Sequence, residues 1–238
     1  MGYIGKKPTP VPLTASDVTD GIISNAKLAQ DVISAETELA VAPATTDEFL
    51  ISDAGTLKRI DYSLIKSDPT HVLLETQTIS SGVAQVDFTS NIDSTYKNYM
   101  ITITNMHVAT DSSEFRMRFF TSIGIRDGAI YDYGFQRVST AASNVYTSSE
   151  NVAQIQLNAS TDNLNEAGVN GRFYISDPAS TTFNTHVRYQ LDYQIDGDQT
   201  NMIDGVGRIE DTAAVTGVRF YMSSGNIDSG LFKLYGVN

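Results

Sequence analysis

Apolar and polar residues alternate with a period of two through most of residues 71–238. The run His186–Ile195, for example, sets Val187 and Tyr189 between polar neighbours. Such alternation is typical of a β-strand with one buried face and one solvated face. Clusters of Asp, Gly, Ser and Asn separate many of these runs and predict turns. We therefore predict eight or more strands in an antiparallel β-sandwich, most simply a jelly roll.

A smaller unit precedes the sandwich at residues 46–70. Phe49–Ile51 and Leu57–Ile60 are strand-like, and the intervening residues supply turn chemistry, with Gly55 free to take a positive φ. This pattern predicts a β-hairpin that ends in a short helical turn near 62–66. A single hairpin is only marginally stable in water, so we expect this one to pack on another surface.

Residues 1–45 differ from both of these regions and predict an extended docking arm. Pro8, Pro10 and Pro12 fix φ and remove amide donors, which favours an extended chain. The apolar spacing over residues 25–33 fits a short amphipathic helix, and it also fits an irregular segment threaded through a trimer interface. Too little apolar surface is present to offset the entropy of ordering. The residues expected to dock on a partner are Ile22, Ile23, Leu28, Val32 and Ile33.

Composition narrows the function classes. The chain has 238 residues, 41% hydrophobic and 18% charged, with a net charge of −12 and no cysteine. The acidic balance argues against nucleic acid as a partner, because phosphate binding needs clustered Lys and Arg. Disulfides and thiolate metal sites are excluded. No apolar run approaches the length of about 18 residues that a spanning helix needs, so we expect no membrane insertion.

Candidate chemistry is sparse. His71, His107 and His186 are far apart in sequence and form no ligand pair. The segment Asp196–Asn201 places oxygen atoms on alternate residues, as calcium loops do, but lacks the later glutamate, and a hairpin turn explains it equally well. We expect no catalytic residues, no metal and no cofactor, and we do not expect an enzyme.

One aromatic cluster suggests a ligand. Tyr131, Tyr133 and Phe135 alternate along one predicted strand, and aromatic rings can stack on the C–H faces of sugars. Tyrosines in strands also pack across the sheet or in the core. The sequence leaves both interpretations open, glycan contact and packing.

Four stretches resemble phage proteins. Asp20–Ile33 and Asp47–Ile60 resemble N-terminal segments of tail-fibre-like proteins of marine tailed bacteriophages. Tyr96–Ile103 and the ending Ser224–Val237 are similar to the β-domain of phage virion proteins, which closes on a strand ending in Tyr-Gly. The resemblance touches both halves of the chain.

The resemblance implies a virion structural protein, assembled in the host cytoplasm. It implies a homotrimeric short tail fibre or appendage, held to a tail adaptor or capsid protein by the N-terminal arm. The β-domain would be exposed for attachment to a host surface glycan or protein. The chain lacks the heptads and repeats of a long shaft, which leaves a capsid decoration or head-fibre protein as an alternative. A carbohydrate-binding module is the alternative of another class.

Overall fold

A computed structural model describes residues 14–17, 37–66, 69–140, 143–195 and 199–238. The chain forms two compact units, Met1–Ser67 and Asp68–Asn238. The predicted docking residues lie outside the described residues: Ile22, Ile23, Leu28, Val32 and Ile33.

The first unit contains the predicted hairpin. Strands β1 (Glu48–Asp53) and β2 (Thr56–Asp61) pair in antiparallel register, and helix α1 (Tyr62–Ile65) follows directly. The turn residues Ala54 and Gly55 both have positive φ, at 49° and 85°. Positive φ at both central residues is the geometry of a type I′ turn, whose twist matches that of paired strands. The same unit includes a 3-10 turn at residues 15–17.

The second unit consists of thirteen described strands joined by turns and loops. The strands are β3 (His71–Ile79), β4 (Gln85–Phe88), β5 (Asn98–Val108), β6 (Phe115–Thr121), β7 (Gly124–Ile125), β8 (Tyr131–Ser139), β9 (Val145–Val152), β10 (Ile155–Gln156), β11 (Val169–Ser176), β12 (His186–Ile195), β13 (Gln199–Ile209), β14 (Val215–Met222) and β15 (Ile227–Val237).

These strands form two antiparallel sheets. The larger sheet has the order β3-β15-β5-β11-β12-β13-β8-β9, and the smaller has β10-β6-β14-β4 with β7 beside β6. Aromatic rings from the two sheets meet between them: the ring centroids of Phe173 on β11 and Phe220 on β14 are 4.9 Å apart. The predicted antiparallel sandwich is therefore confirmed, with eight and five strands in its two layers.

The alternation read from the sequence accounts for the core. In β12 every second residue from Val187 to Tyr193 is buried, and the residues between them are exposed. In β6 the same pattern buries Phe115, Met117 and Phe119 completely. Each sheet thus contributes one apolar face to a common interior, and the larger sheet presents its second face outward.

Candidate functional site

The hairpin unit exposes apolar side chains that it does not bury itself. Leu50 and Leu57 lie on one face and are 71% and 67% exposed, and Phe49 lies on the opposite face with 41% exposed. Leu64 on α1 is exposed as well. None of residues 37–66 is buried. Contiguous exposed apolar surface of this kind is a candidate interaction surface.

The aromatic cluster predicted to contact glycans is turned inward. Tyr131 is fully buried, and its hydroxyl accepts a hydrogen bond from the Phe119 amide at 2.9 Å and donates one to the Arg126 carbonyl at 2.8 Å. Phe135 is 5% exposed and stacks with Tyr133. The prediction of a sugar platform is wrong for Tyr131 and Phe135, because strand alternation places both rings in the core.

Tyr133 lies on the same inward face as its two neighbours. It is half-buried, and its hydroxyl donates to the Gln156 side-chain oxygen at 2.7 Å. Both its hydroxyl and its ring thus contact other residues of the same chain. The packing interpretation accounts for all three aromatic residues.

Buried tyrosines make stability sensitive to alkaline pH. Burial raises the pKa of Tyr131 and Tyr193 to about 12, from 10.0, and it also raises the pKa of Tyr189. The folded state favours the neutral phenols. The stability that they contribute is therefore fully present below pH 10 and is lost as the pH rises towards 12. Each such tyrosine should lower the free energy of unfolding by up to about 1.4 kcal/mol per pH unit in this range. Urea unfolding at pH 9, 10 and 11 measures the slope, and a flat profile would contradict it.

The outer face of the larger sheet is a mixed surface whose register is fixed by the strand pairing. Lys233 on β15 lies opposite Thr102 on β5, Thr102 lies opposite Arg172 on β11, and Arg172 lies opposite Gln190 on β12. Directly opposed residues of antiparallel strands point to the same side. These four side chains therefore form one row across the middle of the sheet.

This row lines a groove of about 630 Å³ on the outer face, which we call the central groove. Its two cations have no acidic partner: neither Arg172 nor Lys233 forms an ion pair with any residue that the structure describes. Arg126 and Arg219, in contrast, each lie within 2.8 Å of a carboxylate oxygen. The groove thus carries two local positive charges in a chain whose net charge is −12.

Next to this row, the central groove carries hydrogen-bonding groups and an acid. The Asn170 amide donates to the Asp192 carboxylate at 2.9 Å, and Thr200 lies nearby in the lining. Met202 and Tyr235 add apolar surface. The groove therefore combines two cations, hydrogen-bonding groups and apolar contact area.

A second groove of about 650 Å³ runs over β8, β9 and β13 on the same face. Gly134 has no side chain to fill this groove, and Tyr146, which also lines it, is 76% exposed. Its arginine, Arg188, is already paired with Asp204 at 3.2 Å. The second groove thus offers an exposed ring but no unpaired cation.

Neither a metal centre nor a histidine cluster is found in the described part of the chain. The three or more His, Cys, Asp or Glu side chains that a metal site needs come together nowhere in it. His107 instead contacts the Leu164 carbonyl at 3.0 Å, and His186 contacts the Asn184 carbonyl at 3.0 Å. In the Asp196–Asn201 segment, residues 196–198 lie outside the description, and Asn201 is fully buried in β13.

Within the described ranges, no helix has the length and apolar character to cross a membrane. Comparison with known proteins gives no match to a family model, a curated protein or a solved structure.

Proposed function

We propose that this chain is a structural protein of a phage virion, a short tail-fibre or appendage subunit. Its N-terminal unit docks on another protein of the particle, and its β-sandwich is exposed for host attachment. The observation that carries the proposal is the hairpin of residues 48–61, where Leu50 and Leu57 are exposed rather than buried. The resemblance of Asp20–Ile33 and Asp47–Ile60 to N-terminal segments of tail-fibre-like proteins supports the same role.

A homotrimer belongs to the same proposal, because the resemblance implies one. Light scattering on the purified chain measures the number of 25.9 kDa subunits in the assembly. Localising the protein's density on an intact particle distinguishes a tail position from a capsid position.

The double variant Leu50→Asp, Leu57→Asp tests the docking surface. Both side chains lie on one face of the hairpin and are exposed in the free chain, so the variant should fold normally. Burying two leucines contributes about 3 kcal/mol or more to an interface, so their replacement should weaken attachment about 100-fold or more. Quantitative mass spectrometry of purified particles should show the variant nearly absent.

The matched control is Ile123→Asp, an equally exposed apolar residue on the sandwich at 76%. It should be incorporated like the unaltered chain. The variant Ile22→Asp, Ile23→Asp extends the test to the predicted arm. Normal incorporation of the Leu50→Asp, Leu57→Asp variant would contradict docking through the hairpin.

A further inference from the structure

We propose that the central groove binds a glycan through a single carboxylate-bearing sugar, of the uronic-acid or sialic-acid type. Arg172 and Lys233 hold the carboxylate, and Asn170 and Asp192, in the neighbouring row, form hydrogen bonds with sugar hydroxyls. The inference deepens the proposed function, since it names a ligand class for the exposed sandwich.

The spacing of the two cations fits one anion between them. Lys233 and Arg172 lie on strands two positions apart, so their backbones are about 10 Å apart with Thr102 between them. Both side chains are long and flexible enough to converge above Thr102, whose hydroxyl can also donate to the anion. A guanidinium presents two parallel N–H donors, which match the two oxygens of a carboxylate.

The rest of the lining favours a sugar over a simple anion. Asp192 repels a second negative charge but accepts hydrogen bonds from hydroxyl groups, and the Asn170 amide that it binds holds it in place. Gln190 offers both a donor and an acceptor beside Arg172. Met202, in the same row as Asn170 and Asp192, supplies apolar surface for the C–H face of a sugar ring, and Tyr235, two residues from Lys233 on β15, adds apolar surface on the other side of the groove. A carboxylate held by the two cations, with sugar hydroxyls beside it, satisfies the polar groups together.

The overall charge excludes long polyanions from this groove. With a net charge of −12, the chain repels an uninterrupted row of negative charges such as nucleic acid. An isolated acidic sugar between neutral sugars meets the two local cations and little of this repulsion. The expected ligand is therefore a glycan in which acidic sugars are separated by neutral ones.

Titration calorimetry on the purified full chain tests the proposal. The ligands are an oligosaccharide that carries one glucuronic acid, the same oligosaccharide with that sugar replaced by glucose, and inorganic sulfate. We expect heat of binding for the acidic oligosaccharide only. Replacing both cations, in Arg172→Gln, Lys233→Gln, should weaken that binding about 10- to 100-fold, because it removes charge-assisted hydrogen bonds.

The matched control is Arg188→Gln, which removes an arginine on the same face that is already paired with Asp204. Its binding should stay within about twofold of the unaltered chain. Equal binding of the neutral oligosaccharide, sulfate binding as tight as the acidic sugar, no binding of any ligand, or unchanged binding by the double variant would each overturn the proposal. Thermal melting of the double variant confirms that it folds. Because the assay needs no particle, its failure is distinct from failure of the docking proposal.

Discussion

Replacing Phe220 with alanine should lower the free energy of unfolding by about 3–5 kcal/mol, the range for deleting a buried phenylalanine. Phe220 is fully buried, and its ring lies 5.6 Å from that of Phe115 and 4.9 Å from that of Phe173. Phe115 and Phe220 belong to the smaller sheet and Phe173 to the larger, so the cavity would open where the layers meet. Urea unfolding followed by circular dichroism measures the loss.

Phe183 provides the matched control. The same substitution there removes a ring that is 72% exposed, so the free energy of unfolding should change by less than about 0.5 kcal/mol. Equal losses for Phe220→Ala and Phe183→Ala would contradict the packing described for the two sheets. A small loss for Phe220→Ala alone would show that the layers collapse readily around the missing ring.

The strands with strict alternation were the part of the fold that sequence predicted well. The predicted run His186–Ile195 is strand β12 itself, because alternation and flanking turns both mark its ends. Residues 152–157 also alternate as a single strand would, but β9 ends at Val152, and Ile155 and Gln156 form β10 in the other sheet. A chain that passes between layers keeps its apolar residues buried, so the pattern alone does not reveal the break.

The sequence pattern also did not show which face of the aromatic strand β8 is buried. Tyr131, Tyr133 and Phe135 share one face of β8, as their spacing requires. Which face is buried depends on the neighbouring strands, and the pairing with β9 and β13 places Gly134 and the Gln136 side chain on the outer face. An exposed ring on that face is Tyr146, on the polar edge strand β9, where the sequence shows no apolar alternation.

The central groove could not be predicted from the sequence, for a related reason. Arg172 and Lys233 each stand at a polar position of an alternating strand, so their outward direction follows from the alternation. Their proximity does not, because it depends on β15 and β11 both pairing with β5. Alternation does not specify the order of strands that are far apart in the chain. Long-range pairing therefore decides where the candidate site lies.

Adding a single methyl group at Gly217 should destabilise the sandwich by about 1–3 kcal/mol, the usual cost of overpacking. A Cβ at this position would lie 2.4 Å from the Phe88 carbonyl oxygen and 3.2 Å from the Thr89 Cα. Both atoms belong to the backbone, so the contact is relieved only if β4 moves away from β14. Gly217→Ala should lower the urea midpoint accordingly.

Gly128→Ala separates this clash from the general effect of replacing glycine. Its nearest atom beyond the chain neighbours is the Ile130 Cγ2 at 4.0 Å, so a methyl group there fits without strain. Because alanine allows the unfolded chain fewer conformations than glycine does, Gly128→Ala should leave the free energy of unfolding unchanged or raise it by about 0.4–1 kcal/mol. Opposite signs for the two substitutions are the expected result. A stable Gly217→Ala variant would mean that β4 and β14 are not held at the described separation.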